Sequence, residues 1–152
     1  MKEKSLKFNG EMVQAILDGR KTQTRLPVKP QPKNGDYITD ALGGFHVGQM
    51  RDSENAFREI KPKYQVGEKV WVRECFQLEI TGVRVDMIQA LSLPDLEGEG
   101  FKKHKEHSGS FLMDTQDSFE EFINLWDSIY ADKGYGWYEN PYVWVYEFKG
   151  II

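Results

Sequence analysis

The chain has 152 residues, of which 39% are hydrophobic and 29% charged, and a formal net charge of −4. That length suits one domain with its own core, no stretch approaches the roughly 18 apolar residues of a membrane span, and the acidic balance argues against a protein that coats nucleic acid nonspecifically. The lone cysteine, Cys75, excludes an internal disulfide and fits a reducing, cytoplasmic setting.

The N-terminal Met-Lys-Glu-Lys-Ser-Leu-Lys holds no apolar run after its charges, so no signal peptide is expected. Residues 4–8 read as a short first strand. Asn9 can cap a helix over 10–18, where Met12, Val13, Ile16 and Leu17 fall at helical spacing and Gly19 supplies the stop. A second strand runs over 22–28 into Pro27, Pro30 and Pro32, which end regular structure. The Gly-, Asp- and Asn-rich stretch 33–64 reads as a long connection with at most one hairpin. Two strands follow, 69–74 and 76–88, with Gly82 marking a bulge. Ser92 can cap a short helix over 93–99, and 102–115 reads as a polar loop. Ser118 can cap a helix over 119–131 with Phe119, Phe122, Ile123, Trp126 and Ile129 on one face. A strand over 142–148 closes the chain. No βαβ repeat is present, so the order favours an α+β fold, a small, mainly antiparallel β-barrel with helices at its rim.

Charge is uneven. Residues 20–33 carry Arg20, Lys21, Arg25, Lys29 and Lys33 without an acid, while the charges in 114–132 are all acidic. Within the basic tract, Gly-Arg-Lys-Thr-Gln-Thr-Arg at 19–25 sets cations beside the hydroxyls of Thr22 and Thr24 directly after a helix stop. Arg suits bidentate phosphate contacts, and a Thr beside a neutral Lys is a nucleophile–base arrangement. The competing reading is an exposed strand with surface cations. Strand geometry points Lys21 and Thr24 to opposite faces, so they meet only if the chain bends after Gly19. Leu96-Glu97-Gly98-Glu99-Gly100 places a carboxylate at a helix end, where it can hold a lysine or simply face solvent. His104 and His107 lack a nearby third ligand, so neither a metal nor another cofactor is expected.

These motifs in this order, together with Gly-Glu-Lys-Val-Trp-Val-Arg-Glu at 67–74, Ile-Thr-Gly-Val-Arg-Val at 80–85 and Tyr-Val-Trp-Val-Tyr-Glu-Phe at 142–148, resemble the ASCH domain family, most of all its bacteriophage and prophage members. The resemblance implies a single PUA-like domain over 1–152, with an inserted connection at about 28–64. It implies binding of RNA, a nucleotide or a nucleoside in a cleft lined by Lys21, Thr24, Arg25 and Glu99. One ASCH branch consists of amidohydrolases acting on N4-acetylcytidine. Carried onto this chain, Thr24 is its nucleophile, Lys21 its base and Glu99 its acid/base. Arg20, Arg25, Trp71, Arg73 and Glu74 are the binding candidates. A ribonuclease, or a phage factor that holds a host protein through 33–64, are the remaining alternatives. The chain departs from the phage pattern at Leu26, where relatives commonly carry a second arginine, and at Cys75-Phe76, where they often insert a loop.

Overall fold

The computed structural model describes residues 4–33, 35–49, 56–73, 76–101 and 111–151. Strand β1 (Ser5–Leu6) leads into helix α1 (Gly10–Leu17), followed by β2 (Gln23–Pro27), β3 (Asp36–Thr39), β4 (Phe45–Gln49) and β5 (Ala56–Ile60). Strands β6 (Lys69–Val72) and β7 (Phe76–Met87), helices α2 (Leu93–Gly98) and α3 (Phe111–Tyr130), and strand β8 (Tyr142–Ile151) complete it. The expected α+β class holds, with helices against a mainly antiparallel sheet. Five strands pair in the order β1-β6-β7-β8-β2, and only the β1–β6 pairing is parallel. No helix among the described residues is long and apolar enough to cross a membrane.

The central strand β8 explains the layering. Its side chains alternate between two faces. Trp144, Tyr146 and Phe148 join Leu6, Phe8, Tyr64, Val70, Val72, Leu78 and Ile80 in one buried cluster. Val143 and Val145 point the other way, into a second cluster with Ile88, Leu91, Leu96, Phe122 and Trp126 beneath α2 and α3. Both faces of β8 are therefore dry, which is why it reads as a near-continuous apolar run. The bulge expected at Gly82 is present, as the β7–β8 register shifts between Ile80 and Gly82.

Three expectations are corrected. Residues 33–64 hold a second, three-stranded antiparallel sheet, β3-β4-β5, rather than a connection with one hairpin. Its β3–β4 turn uses Gly43 and Gly44 at φ +75° and +74°, which only glycine adopts cheaply. The sheet docks through Ile38, Phe45 and Ile60, and Phe45 meets Trp144 edge-on at 4.9 Å. Second, α3 begins at Phe111, so Ser118 is a buried residue inside the helix and not its cap. Third, Ile129 is 38% exposed, and Tyr130 takes the inward position in its place. The remainder of the polar loop expected at 102–115, and His104, His107 and Cys75, lie outside the described residues.

Candidate functional site

The site begins where α1 ends. Asn9 caps the helix by accepting from Met12 N, and Gly19 adopts φ +79°, turning the chain sharply after one short helix. The backbone N–H groups of Arg20 and Lys21 then both donate to Ala15 O. Thr22 N donates to Gly98 O at 2.7 Å, and Lys21 forms an isolated antiparallel bridge with Glu99. The bend the sequence required is thus made by backbone pairing to the end of α2, before β2 starts.

This pairing buries Lys21 against Glu99. The Lys21 ammonium donates to Glu99 Oε2 at 2.8 Å, to Gln23 O at 2.9 Å and to Glu99 O at 3.2 Å. An ammonium has three donors, so all are engaged. Arg25 reaches the other carboxylate oxygen, with Nη1 2.7 Å from Glu99 Oε1. Arg25 Nη2 lies 3.2 Å from Asp95 Oδ2, close enough for attraction but turned so that no hydrogen bond forms. Its Nε and Nη2 are consequently buried without a hydrogen-bond partner. Lys21, Arg25 and Glu99 are each less than 7% exposed.

Asp95, which sequence reasoning missed, ties this group to the surface. It stands at the third position of α2 in a capping box with Ser92. It accepts from Arg84 Nη2 at 2.7 Å, and Gln23 Nε2 donates to its backbone oxygen at 2.7 Å. Burial raises the Asp95 carboxyl, but the Ser92 hydrogen bonds and the Arg25 and Arg84 charges outweigh it and hold the group at about 2. A carboxyl depressed on folding stabilises the fold above its unfolded value and loses that contribution as pH falls through the folded value. Asp95→Asn should therefore flatten the loss of stability between about pH 4 and pH 2, read by chemical denaturation at each pH. An unchanged acid limb would show that Asp95 carries none of it.

Two hollows meet at Glu99 and share Met12 and Leu125. The smaller has a volume of about 70 Å³ and is walled by Phe8, Thr24, Arg25, Phe122, Trp126 and Tyr130 among others. The larger, about 670 Å³, runs between α1 and α3 past Glu11, Gln14, Arg20, Gly100, Glu121 and Asn124 to Phe101, the last described residue before 102–110. Tyr130 titrates above its ordinary value, first because it is buried and second because the Glu99 charge disfavours a phenolate.

The expected residues divide accordingly. Lys21, Arg25 and Glu99 converge, and Thr24 borders the same small cavity. Thr24 pairs with Tyr146 and Arg25 with Val145, so their side chains leave β2 on opposite faces. No hydrogen bond joins the Thr24 hydroxyl to Lys21 or Glu99 among the described residues. Arg20 lines the larger hollow, bound to Asp18 and to Gly100 O. Trp71 and Arg73 line neither hollow, and Arg73 Nε donates to Phe8 O at 3.2 Å. Glu74 lies outside the described residues. No cluster of three or more metal-type ligands occurs among the described residues.

Among solved structures, a protein of Enterococcus faecalis V583 from the family DUF984 superposes with a TM-score of 0.56, over 99% of this chain and 82% of that one, at 13% identity. The two share a fold. An ASCH domain from Lactobacillus crispatus JV V101 aligns over 91% of this chain and 69% of its own, with a TM-score of 0.41 and 17% identity. No family model matches the sequence, and no curated protein does. Of the residues sequence reasoning missed, Asp95 had a signal in Ser92-x-x-Asp95, which reads as a helix cap alone. Tyr130 and Trp126 had only helical spacing, which marks core as readily as a binding wall.

Proposed function

We propose that this chain is an ASCH-like, PUA-related protein that binds a nucleoside-type ligand, with a carbonyl oxygen of the ligand seated on Arg25. The observation that carries this is the Arg25 guanidinium, whose Nε and Nη2 are buried and make no hydrogen bond at the wall of a cavity, Nη2 having only an ionic contact to Asp95 at 3.2 Å. Buried donors in native proteins nearly always have an acceptor, and two donors without one beside a hollow suit a ligand oxygen. A volume of about 70 Å³ holds about two waters at roughly 30 Å³ each. It takes a small head group, not a whole base. The hollow of about 670 Å³ beyond Glu99 lies within the roughly 300–1,000 Å³ of ordinary ligand sites and has room for base and sugar. Its walls mix Arg20 with Glu11 and Glu121, which suits an uncharged nucleoside better than a phosphate chain.

Cytidine and N4-acetylcytidine titrated by calorimetry test the reading. Arg25→Ala should weaken binding about 10- to 100-fold, the value of one or two hydrogen bonds to a charged donor. Affinity unchanged by that substitution, in a protein that still folds, would overturn the proposal.

Hydrolysis is the second reading, favoured by the 2.8 Å approach of Lys21 to Glu99 beside the cavity that Thr24 borders. In it, Lys21 first passes a proton to Glu99 and becomes a neutral amine, then takes the Thr24 proton as Thr24 attacks the acetyl carbonyl; the exocyclic amine leaves with the proton Glu99 holds, and water hydrolyses the resulting acyl-Thr24 ester to acetate. Acetate release from N4-acetylcytidine, lost in Thr24→Ala while affinity persists, would establish it. Binding without release leaves the chain as a binding protein.

A further inference from the structure

Strands β7, β8 and β2 place two arginines on one row. Arg84 and Arg25 both pair with Val145, one on each side, and therefore project from the same face of the sheet towards α2. Asp95 lies between them. One of its oxygens, Oδ1, accepts from Arg84 Nη2 at 2.7 Å and sits 3.4 Å from Gln23 Nε2. The other, Oδ2, accepts from Ser92 N at 3.1 Å and approaches Arg25 Nη2 at 3.2 Å without bonding it. The two arginines thus compete for a single carboxylate, and Arg84 holds the shorter contact.

Arg84 is well fixed for that task. Its three nitrogens reach three carboxylates, Nε to Asp86 at 3.3 Å, Nη1 to Glu147 at 3.0 Å and Nη2 to Asp95. Its side chain is 38% exposed, against 1% for Arg25, so it stands outside both hollows that meet at Glu99. The helix it pins carries Asp95 near its start and Glu99 at its C-terminal cap. Movement of that six-residue helix would move both acids that hold Arg25.

We infer that Arg84 is a positioning residue, which leaves Arg25 Nε and Nη2 without a hydrogen bond and open to a ligand by keeping the Asp95 carboxylate, 3.2 Å from Nη2, turned out of line with it. This rests on the reading of Arg25 as the ligand-binding group. With Arg84 gone, Asp95 loses its nearest cation and turns onto Arg25 Nη2, filling the vacancy the ligand needs. The positive charge matters first and the planar fork second, so lysine at position 84 should substitute in part and glutamine should not.

The test joins two readouts in Arg84→Gln and Arg84→Lys, with Lys149→Gln as a control that removes only the outlying pair with Glu79. The first is NMR of the Arg25 Nε–Hε resonance and of the Asp95 carboxyl during acid titration. The second is affinity for N4-acetylcytidine. In Arg84→Gln the Arg25 resonance should shift, the Asp95 midpoint should stay low because Arg25 replaces Arg84 as its bonded cation, and affinity should fall about tenfold. Arg84→Lys should recover part of the resonance and of the affinity, and Lys149→Gln should change none. An unmoved Arg25 resonance in Arg84→Gln would overturn the inference. The two readings fail separately. If the unaltered protein binds no nucleoside but the resonances move as stated, Asp95 positioning stands and the ligand assignment falls. If binding is firm and the resonances stay, the reverse holds.

Discussion

Replacing Glu99 by alanine is expected to cost about 3–5 kcal/mol of folding stability, the penalty for leaving buried charge uncompensated. Glu99 is 6% exposed and its two oxygens are divided between Lys21 and Arg25. Removing it strands an ammonium and a guanidinium whose side chains are each 1% exposed. Asp95 compensates only in part: its Oδ2 lies 3.2 Å from Arg25 Nη2, but Arg84 and the α2 cap hold the carboxylate, and no ion pair joins it to Lys21 among the described residues. For a chain of this size each kcal/mol is worth about 2–4 °C in melting temperature, so the loss is readable by heat or by denaturant midpoint. The triple variant Lys21→Met, Arg25→Met, Glu99→Leu should behave differently. With both charges and counter-charge gone it should fold about as well as the parent, since apolar replacement of a buried ionic group is often neutral or stabilising. It should also bind no ligand. That contrast separates what the cluster does for the fold from what it does for function. A Glu99→Ala loss under about 1 kcal/mol would mean that solvent or another acceptor reaches Lys21 and Arg25, and the picture of a dry ionic centre would be abandoned.

Why some of this was legible and some was not follows from the range of the interactions. Helix α1 and its end are local: an Asn9 cap, apolar residues three and four apart, and a glycine in the left-handed region. The Gly82 bulge and the β6–β7 pair are also local, set by alternation and one small residue. The meeting of Lys21 with Glu99 is not. The two are 78 positions apart, and strand parity alone argues against a shared pocket with Thr24. Only family resemblance pointed to it, and the structure supplies the physical means, the Thr22–Gly98 backbone bond that runs the chain along the end of α2. Parity nevertheless asserts itself at Thr24, whose side chain faces away from that of Arg25. The β3-β4-β5 sheet escaped because its strands are four or five residues long and sit amid Gly and Asp, so no window holds enough alternation to register. Ser118 misled because a serine before an apolar run is the usual N-terminal signature, while its burial inside α3 depends on neighbours that sequence does not place.

Trp126 is where packing and the proposed pocket coincide. It is 4% exposed, stacks on Phe122 at 6.2 Å and 21°, meets Tyr130 at 4.3 Å and donates from Nε1 to Tyr135 O at 2.8 Å. It also forms part of the wall of the small cavity beside Arg25. Trp126→Ala should cost about 3–5 kcal/mol, the range for deleting a buried aromatic whose surroundings relax only in part. Trp126→Phe keeps most of the buried area and loses the bond to Tyr135, which should limit the cost to about 1–2 kcal/mol. Both values are measurable as shifts in denaturant midpoint at constant slope. The functional consequence runs opposite to the stability loss. A head-group cavity of about 70 Å³ admits an acetyl group and rejects a benzoyl group by size, and removal of the indole enlarges it. Stabilised by low temperature, Trp126→Ala should bind N4-benzoylcytidine more tightly than the parent does, while Arg25→Ala should bind neither acylated nucleoside well. If the benzoyl ligand gains nothing from the missing indole, the acyl group does not enter this cavity, and the seating of its carbonyl on Arg25, which lines this cavity and not the α1–α3 hollow, falls with it.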